Sequence, residues 1–158
     1  MIKLALMTAM VAFAPIAACS QTAPDTSPRT ESPTVTNSTQ AISNADFATT
    51  NARLKNAIES RGLTLFTVVD HAAGAAKVGQ TLAPNTLYIF GNPQAGTPLM
   101  LADPAMGLHL PLKANVREQD GKVIVTVSDI RALASEPAPV VDKVAGALGA
   151  ILKDATGT

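Results

Sequence analysis

The chain has one cysteine, no tryptophan, one tyrosine and four phenylalanines among 158 residues. A single thiol excludes a disulfide scaffold and a cysteine-rich metal site. With aromatics at 3%, the core must be built from Ala, Val, Leu and Ile. No charge of either sign is in excess, since 12 basic residues balance 12 acidic ones. That balance excludes a nucleic-acid binder working through a broad basic surface. No HxxxH, HExxH, GxSxG or GxxxxGK[ST] pattern is present, so no metalloprotease, hydrolase-elbow or phosphate-loop chemistry is written in the motifs.

What is there begins with an address. Lys3 precedes a nearly unbroken apolar run from Leu4 to Ala18. A membrane-spanning helix needs about 20 apolar residues, so this run fits the apolar region of a secretory signal better than a span. It ends in Ile16-Ala17-Ala18-Cys19, which resembles the bacterial lipoprotein box. That resemblance implies a signal peptide over 1–18 and lipid attachment at Cys19, which would leave the mature protein with no free thiol. Ser20 after the cysteine, where Asp is absent, resembles the pattern of outer-membrane sorting. The expected location is the cell envelope, facing the periplasm, with the membrane as a partner through Cys19.

Residues 19–44 read as a tether. From 20 to 44 there are 5 Ser, 6 Thr and 3 Pro, with Ala23, Val35, Ala41 and Ile42 as the apolar residues. Such a composition buries too little surface to offset its ordering entropy. A weak first strand is expected near its end, at 38–42.

The domain is expected over 45–158. Phe47, Leu54, Ala57 and Ile58 share one helical face, and Gly62 follows, which predicts a helix over 46–61. Residues 63–69 (LTLFTVV) are β-rich. Residues 72–79 are small and predict a short helical turn or a loop. Residues 87–90 form a short apolar strand. Thr97-Pro98 predicts a helix start, with Thr97 as N-cap, and Asp103-Pro104 predicts its end. Asp120-Gly121 between β-rich arms at 108–118 and 122–128 is a hairpin signal, and Val123, Val125 and Val127 line one face of the second arm. A last helix is expected over 139–153, with Val140, Val141, Val144, Leu148, Ile151 and Leu152 on its apolar face. The fold class is α+β, an antiparallel-rich sheet with helices on one face.

The middle of the chain carries Asp70-His71-Ala72-Ala73-Gly74-Ala75, Gly79, Leu82-Ala83-Pro84 and Ile89-Phe90-Gly91-Asn92-Pro93. It continues through Ala95-Gly96-Thr97-Pro98-Leu99-Met100, Leu110-Pro111-Leu112-Lys113 and Asp120-Gly121-Lys122-Val123. In these runs the chain resembles the DUF302 family, a bacterial domain without an established reaction. The resemblance covers about 46–155. It implies a TBP-like β-α-β(4)-α arrangement, commonly found as a homodimer. The hairpin is followed here by Val127-Ser128-Asp129-Ile130, without the Tyr and the Asn/Asp-Pro pair that family members often carry there.

Five residues are candidates for a ligand site: Asp70, His71, Asn92, Thr97 and Lys113. Adjacent residues on a strand point to opposite faces, so Asp70 and His71 cannot readily form a dyad. The plainer reading is that they cap the following AAGAA turn. Asn92 and Thr97 flank a Gly-Asn-Pro/Gly-Thr-Pro stretch whose free N–H groups can receive an anion, or which simply turns the chain. His71 and His109 are too few for a metal-ligand pattern, and Met100 and Met106 read as packing. No cofactor is expected. The favoured reading is a lipid-anchored module that binds a small ligand or a protein. The alternatives are a hydrolase using His71, or an envelope metal-handling protein.

Overall fold

The computed structural model describes residues 37–135 and 138–158. The expected signal peptide, Cys19 and the tether up to residue 36 lie outside the described residues.

The first element is the strand β1, Ser38–Ile42, paired antiparallel to the last strand of the sheet. The weak strand read near 38–42 is therefore real, and the sheet begins inside the segment 19–44 expected as a tether. A polar strand of this kind gains its stability from the partner's ladder, which composition does not register. Helix α1, Phe47–Glu59, starts where Asp46 accepts a hydrogen bond from the Thr49 N–H at 2.7 Å. It stops before Gly62, whose φ of +67° is open to glycine without steric cost. Strand β2, Thr64–Asp70, leads directly into α2, His71–Lys77. Of the short helical turn and the loop that the small residues at 72–79 leave open, the helix is the one formed.

Strand β3, Asn85–Gly91, is followed by α3, Pro93–Ala102. Here the expected start is corrected. Asn92, not Thr97, is the N-cap, accepting from the Gln94 N–H at 2.8 Å, and Pro93 takes the first helical position. Pro98 then sits inside the helix, and the carbonyl one turn before it belongs to the exposed Gln94, open to water. Asp103 caps a 3-10 helix, Pro104–Leu108. This displaces the start of the next strand: β4 runs Leu112–Gln119, and His109 ends the 3-10 helix instead of starting a strand.

The hairpin from β4 to β5, Lys122–Ser128, turns on Asp120 and Gly121 at φ of +51° and +71°, the two positive values that a type I′ turn requires. A four-residue helix α4, Ile130–Leu133, capped by Asp129, follows. Helix α5 runs Pro139–Thr156, longer than expected, and ends at Gly157 in the left-handed conformation.

The sheet order is β1-β5-β4-β3-β2, antiparallel throughout. This is the expected β-α-β(4)-α order, an α+β fold, with α2, α3 and α4 as short additions between the main elements. Tyr88 and Phe90, Leu112, Ala114 and Val116, and Val125 and Val127 face one side. Leu54, Ala57 and Ile58 of α1, and Val141, Val144, Leu148, Ile151 and Leu152 of α5, complete that core. The valine face of the second hairpin arm is the buried one, as the alternation predicts.

Candidate functional site

Helix α3 and the 3-10 helix lie across one end of the sheet, and a groove of about 310 Å³ opens there. Leu99, Leu112 and Val144 line its depth. Leu63 and Phe66 wall it from the β2 side, and Leu110 and Pro111 from the β4 side. Small residues keep the space free. A Cβ on Gly91 would lie 3.4 Å from the Phe66 ring, and one on Gly96 would lie 3.6 Å from Leu110 Cδ1.

No charged side chain lines the groove, and Asn92 and Thr97 are its polar residues. Asn92 Oδ1 is committed to capping α3, which fixes the side chain and leaves its amide nitrogen for other partners. Thr97 stands in the same helix, one turn further on. A second hollow, of about 410 Å³, lies between the ends of α1 and α5. Its polar groups bind each other or near neighbours: Arg53 Nη1 donates to Asn44 Oδ1 at 2.8 Å, and Arg61 pairs with Asp154 at 2.7 Å.

The five sequence candidates do not come together in one chain. Asn92 and Thr97 line the groove. Asp70 caps α2, its Oδ1 accepting from the Ala73 N–H at 2.9 Å, and His71 is the exposed first residue of that helix. Lys113 stands on the opposite face of β4 from Leu112 and Ala114, and its ammonium donates to the carbonyls of Pro111 at 3.2 Å and His109 at 3.4 Å. Among the described residues, no group of three or more His, Cys, Asp or Glu side chains is placed to hold a metal ion. The depth of the groove escaped the sequence reading, because Leu63, Leu110 and Val144 are indistinguishable there from core residues.

Two carboxylates outside the groove are held below their ordinary value. Asp103 is lowered by hydrogen bonds from Ser135, side chain first and then backbone, and from the Ala105 N–H. Asp46 is lowered chiefly by the Thr49 backbone N–H. Both are helix caps with no part in the groove.

The model of the family described as domain of unknown function DUF302 matches residues 39–155. The chain belongs to the DUF302 family. The crystal structure of an uncharacterized conserved DUF302 protein from Bacillus stearothermophilus superposes with a TM-score of 0.70 at 17% identity, over 76% of this chain and 98% of that one. That likeness establishes the DUF302 fold for the sheet and its helices. The chain is also 47% identical over 83 residues to proteins named fluoride-specific ion channel FluC 1 from Brucella suis and Brucella abortus. The match covers 52% of this chain and 33% and 31% of those relatives, so the chain spans about a third of their length. No helix among the described residues is long and apolar enough to cross a membrane.

Proposed function

We propose that this DUF302 protein is a lipid-anchored cell-envelope module that holds a small, uncharged, largely apolar ligand in the groove under α3. The observation that carries this reading is the lining: apolar on every wall, free of charge, with the Asn92 amide at the start of α3 and the Thr97 hydroxyl within that helix. A desolvated charge would be costly in such a site, whereas one neutral polar group on the ligand meets Asn92 or Thr97. This differs from a site built on His71 and Lys113, which stand outside the groove. The anchor rests on Leu4–Ala18 and the Ile16-Ala17-Ala18-Cys19 run, and Ser20 favours the outer membrane facing the periplasm.

The test uses the neutral dye phenylnaphthylamine, whose fluorescence rises in apolar sites. The chain is expected to bind it saturably, and Gly96→Leu, which fills the groove, is expected to abolish binding with the fold retained. Equal binding by both proteins sinks the groove reading. Palmitate labelling that is lost in Cys19→Ser tests the anchor.

The similarity to chains named for a fluoride channel favours a second reading, in which the domain serves ion transport across the same envelope. Deleting the gene should then lower the fluoride concentration the cell tolerates; unchanged tolerance removes it.

A further inference from the structure

The strand registers put the groove and the entry of the chain at the same end of the sheet. Ser38 pairs with Ser128, Val127 with Ala114, Leu112 with Phe90, and Gly91 with Thr64. Gly91 and Leu112 line the groove. The chain therefore enters β1 at the groove end, where the Asp129 N–H donates to the Asn37 carbonyl at 2.9 Å. Cys19, the expected lipid site, lies 18 residues before Asn37, a reach of at most about 65 Å.

The same end carries the most exposed large apolar side chains among the described residues. Leu101 is 80% exposed and Leu108 82%. They directly follow Met100 and Gly107, which line the groove and lie close together: a Cβ on Gly107 would sit 3.8 Å from Met100 Sδ. Phe66 and Met100, both exposed, complete the rim. From Gly91 to Leu112 the sole formally charged residue is Asp103, whose carboxylate accepts from the Ser135 and Ala105 N–H groups. Nearby, Lys113 donates to the Pro111 and His109 carbonyls, and Arg131 pairs with Asp142 at 2.8 Å. With no cationic excess among these residues, attraction to this end is hydrophobic and not electrostatic. Exposed apolar residues occur elsewhere too. From Glu59 to Leu87 not one residue is buried, and Val78 and Leu82 are 73% and 45% exposed. Those two follow α2, beyond the opposite end of β2, and neither lines the groove.

We propose that the rim formed by Leu101, Leu108, Phe66 and Met100 lies on the lipid surface that anchors the chain, and that the groove takes one acyl chain of a membrane lipid. This rests on the groove reading and names its ligand. Exposed leucines on an uncharged rim gain by leaving water for the acyl boundary of a bilayer. A protein interface surrounds its apolar centre with a polar rim, whereas here an apolar groove is bordered by apolar lips. The groove, about 310 Å³, stands at the small end of ligand pockets, roughly 300–1,000 Å³, which suits one chain and not a whole lipid. The headgroup of such a lipid stays at the bilayer surface, so an uncharged lining is what this ligand requires. The Asn92 amide nitrogen, not engaged by the cap, can donate to the ester carbonyl at the head of the chain.

The experiment uses the mature chain held by its own lipid in phosphatidylcholine vesicles. Cys19 is the sole cysteine and carries the lipid in this form, so an introduced thiol alone takes a label. A nitrobenzoxadiazole label on Leu108→Cys should shift its emission to the blue and lose intensity to nitroxide-bearing lipids. The same label on Val78→Cys should do neither. A phosphatidylcholine with a diazirine in its acyl chain should, on irradiation, form an adduct within residues 91–112. Gly96→Leu should lose that adduct and keep the quenching at Leu108→Cys. Leu101→Gln combined with Leu108→Gln should lower the adduct yield about tenfold, and Val78→Gln should leave it unchanged. Equal quenching of the two labels, or none at Leu108→Cys, overturns the docking and returns the rim to a protein partner. A chain that carries no lipid at Cys19, read by its mass, overturns the docking as well. Quenching without a groove adduct, in a chain that still binds phenylnaphthylamine, overturns the acyl ligand and leaves the groove reading standing. A chain that binds no phenylnaphthylamine overturns the groove reading and the acyl ligand with it, while the quenching still decides the docking.

Discussion

The Tyr88 hydroxyl donates a 2.9 Å hydrogen bond to Oδ1 of Asn51, and the Asn51 amide donates in turn to the Phe47 carbonyl at 2.7 Å. This couples strand β3 to the first turn of α1 through a side chain that is itself part of the core. Tyr88 is the sole tyrosine of the chain, so its environment can be read without interference.

Removing the hydroxyl should therefore be measurable. Tyr88→Phe leaves the Asn51 oxygen without its donor and should cost about 1 kcal/mol. A double-mutant cycle with Asn51→Ala should return coupling of about that size, and coupling near zero would dissociate the two residues. Burial also raises the Tyr88 pKa above 10.0. Because the folded value is the higher one, this contribution to stability is complete below the unfolded pKa and is lost as pH rises through the folded value. The phenolate absorbance of the native protein should titrate later than that of the unfolded chain.

At the acid end the sign reverses. The folded pKa values of Asp46 and Asp103 lie below the ordinary 3.8. Their contribution is present above the unfolded value and is lost as pH falls through the folded ones. Urea midpoints should decline below about pH 4. The decline should be shallower in Asp103→Asn, whose side chain no longer titrates. An unchanged slope in that variant would mean that the Ser135 and Ala105 hydrogen bonds do not distinguish the charged form.

Asp70 and His71 should separate cleanly. Asp70→Ala removes the cap of α2 and should cost about 1 kcal/mol, with amide exchange quickening across 71–77. His71→Ala removes an exposed side chain and should change stability very little. A large loss in His71→Ala would return the capping role to the pair as a unit.

Gly157 and Gly79 test crowding against conformation. Both have positive φ, +72° and +73°, so alanine is strained at either, by roughly 1–2 kcal/mol. Around Gly79 a Cβ meets nothing within 4 Å, whereas at Gly157 it would lie 2.6 Å from Asn44 Oδ1 and 2.8 Å from Arg53 Nη1. Gly157→Ala should thus cost more, by about one hydrogen bond, ~1 kcal/mol, since Asn44 also donates to the Gly157 carbonyl. Equal thermal shifts in the two variants would show that Asn44 and Arg53 move aside freely.

Much of the architecture is local, and to that extent the sequence alone determines it. Asp120-Gly121 sets the hairpin because two consecutive positive φ values suit few other residue pairs. The 3.6-residue spacing of Val141, Val144, Leu148 and Ile151 sets the buried face of α5, and the alternation of Val123, Val125 and Val127 sets that of β5. The tertiary structure decided what local signals left degenerate. The sequence marks Thr97-Pro98 as the helix start, but in the fold Asn92-Pro93 takes that role, where β3 ends at Gly91 and Leu99 is carried into the core. Ser38–Ile42 is a strand because β5 offers it a ladder, not because of its composition. The groove exists only where α3 and the 3-10 helix cross the ends of three strands, joining residues as distant as Leu63 and Val144. Nor does the run from 59 to 87 announce its exposure, since apolar patterning records what favours burial and only the packed fold shows which of it stays uncovered.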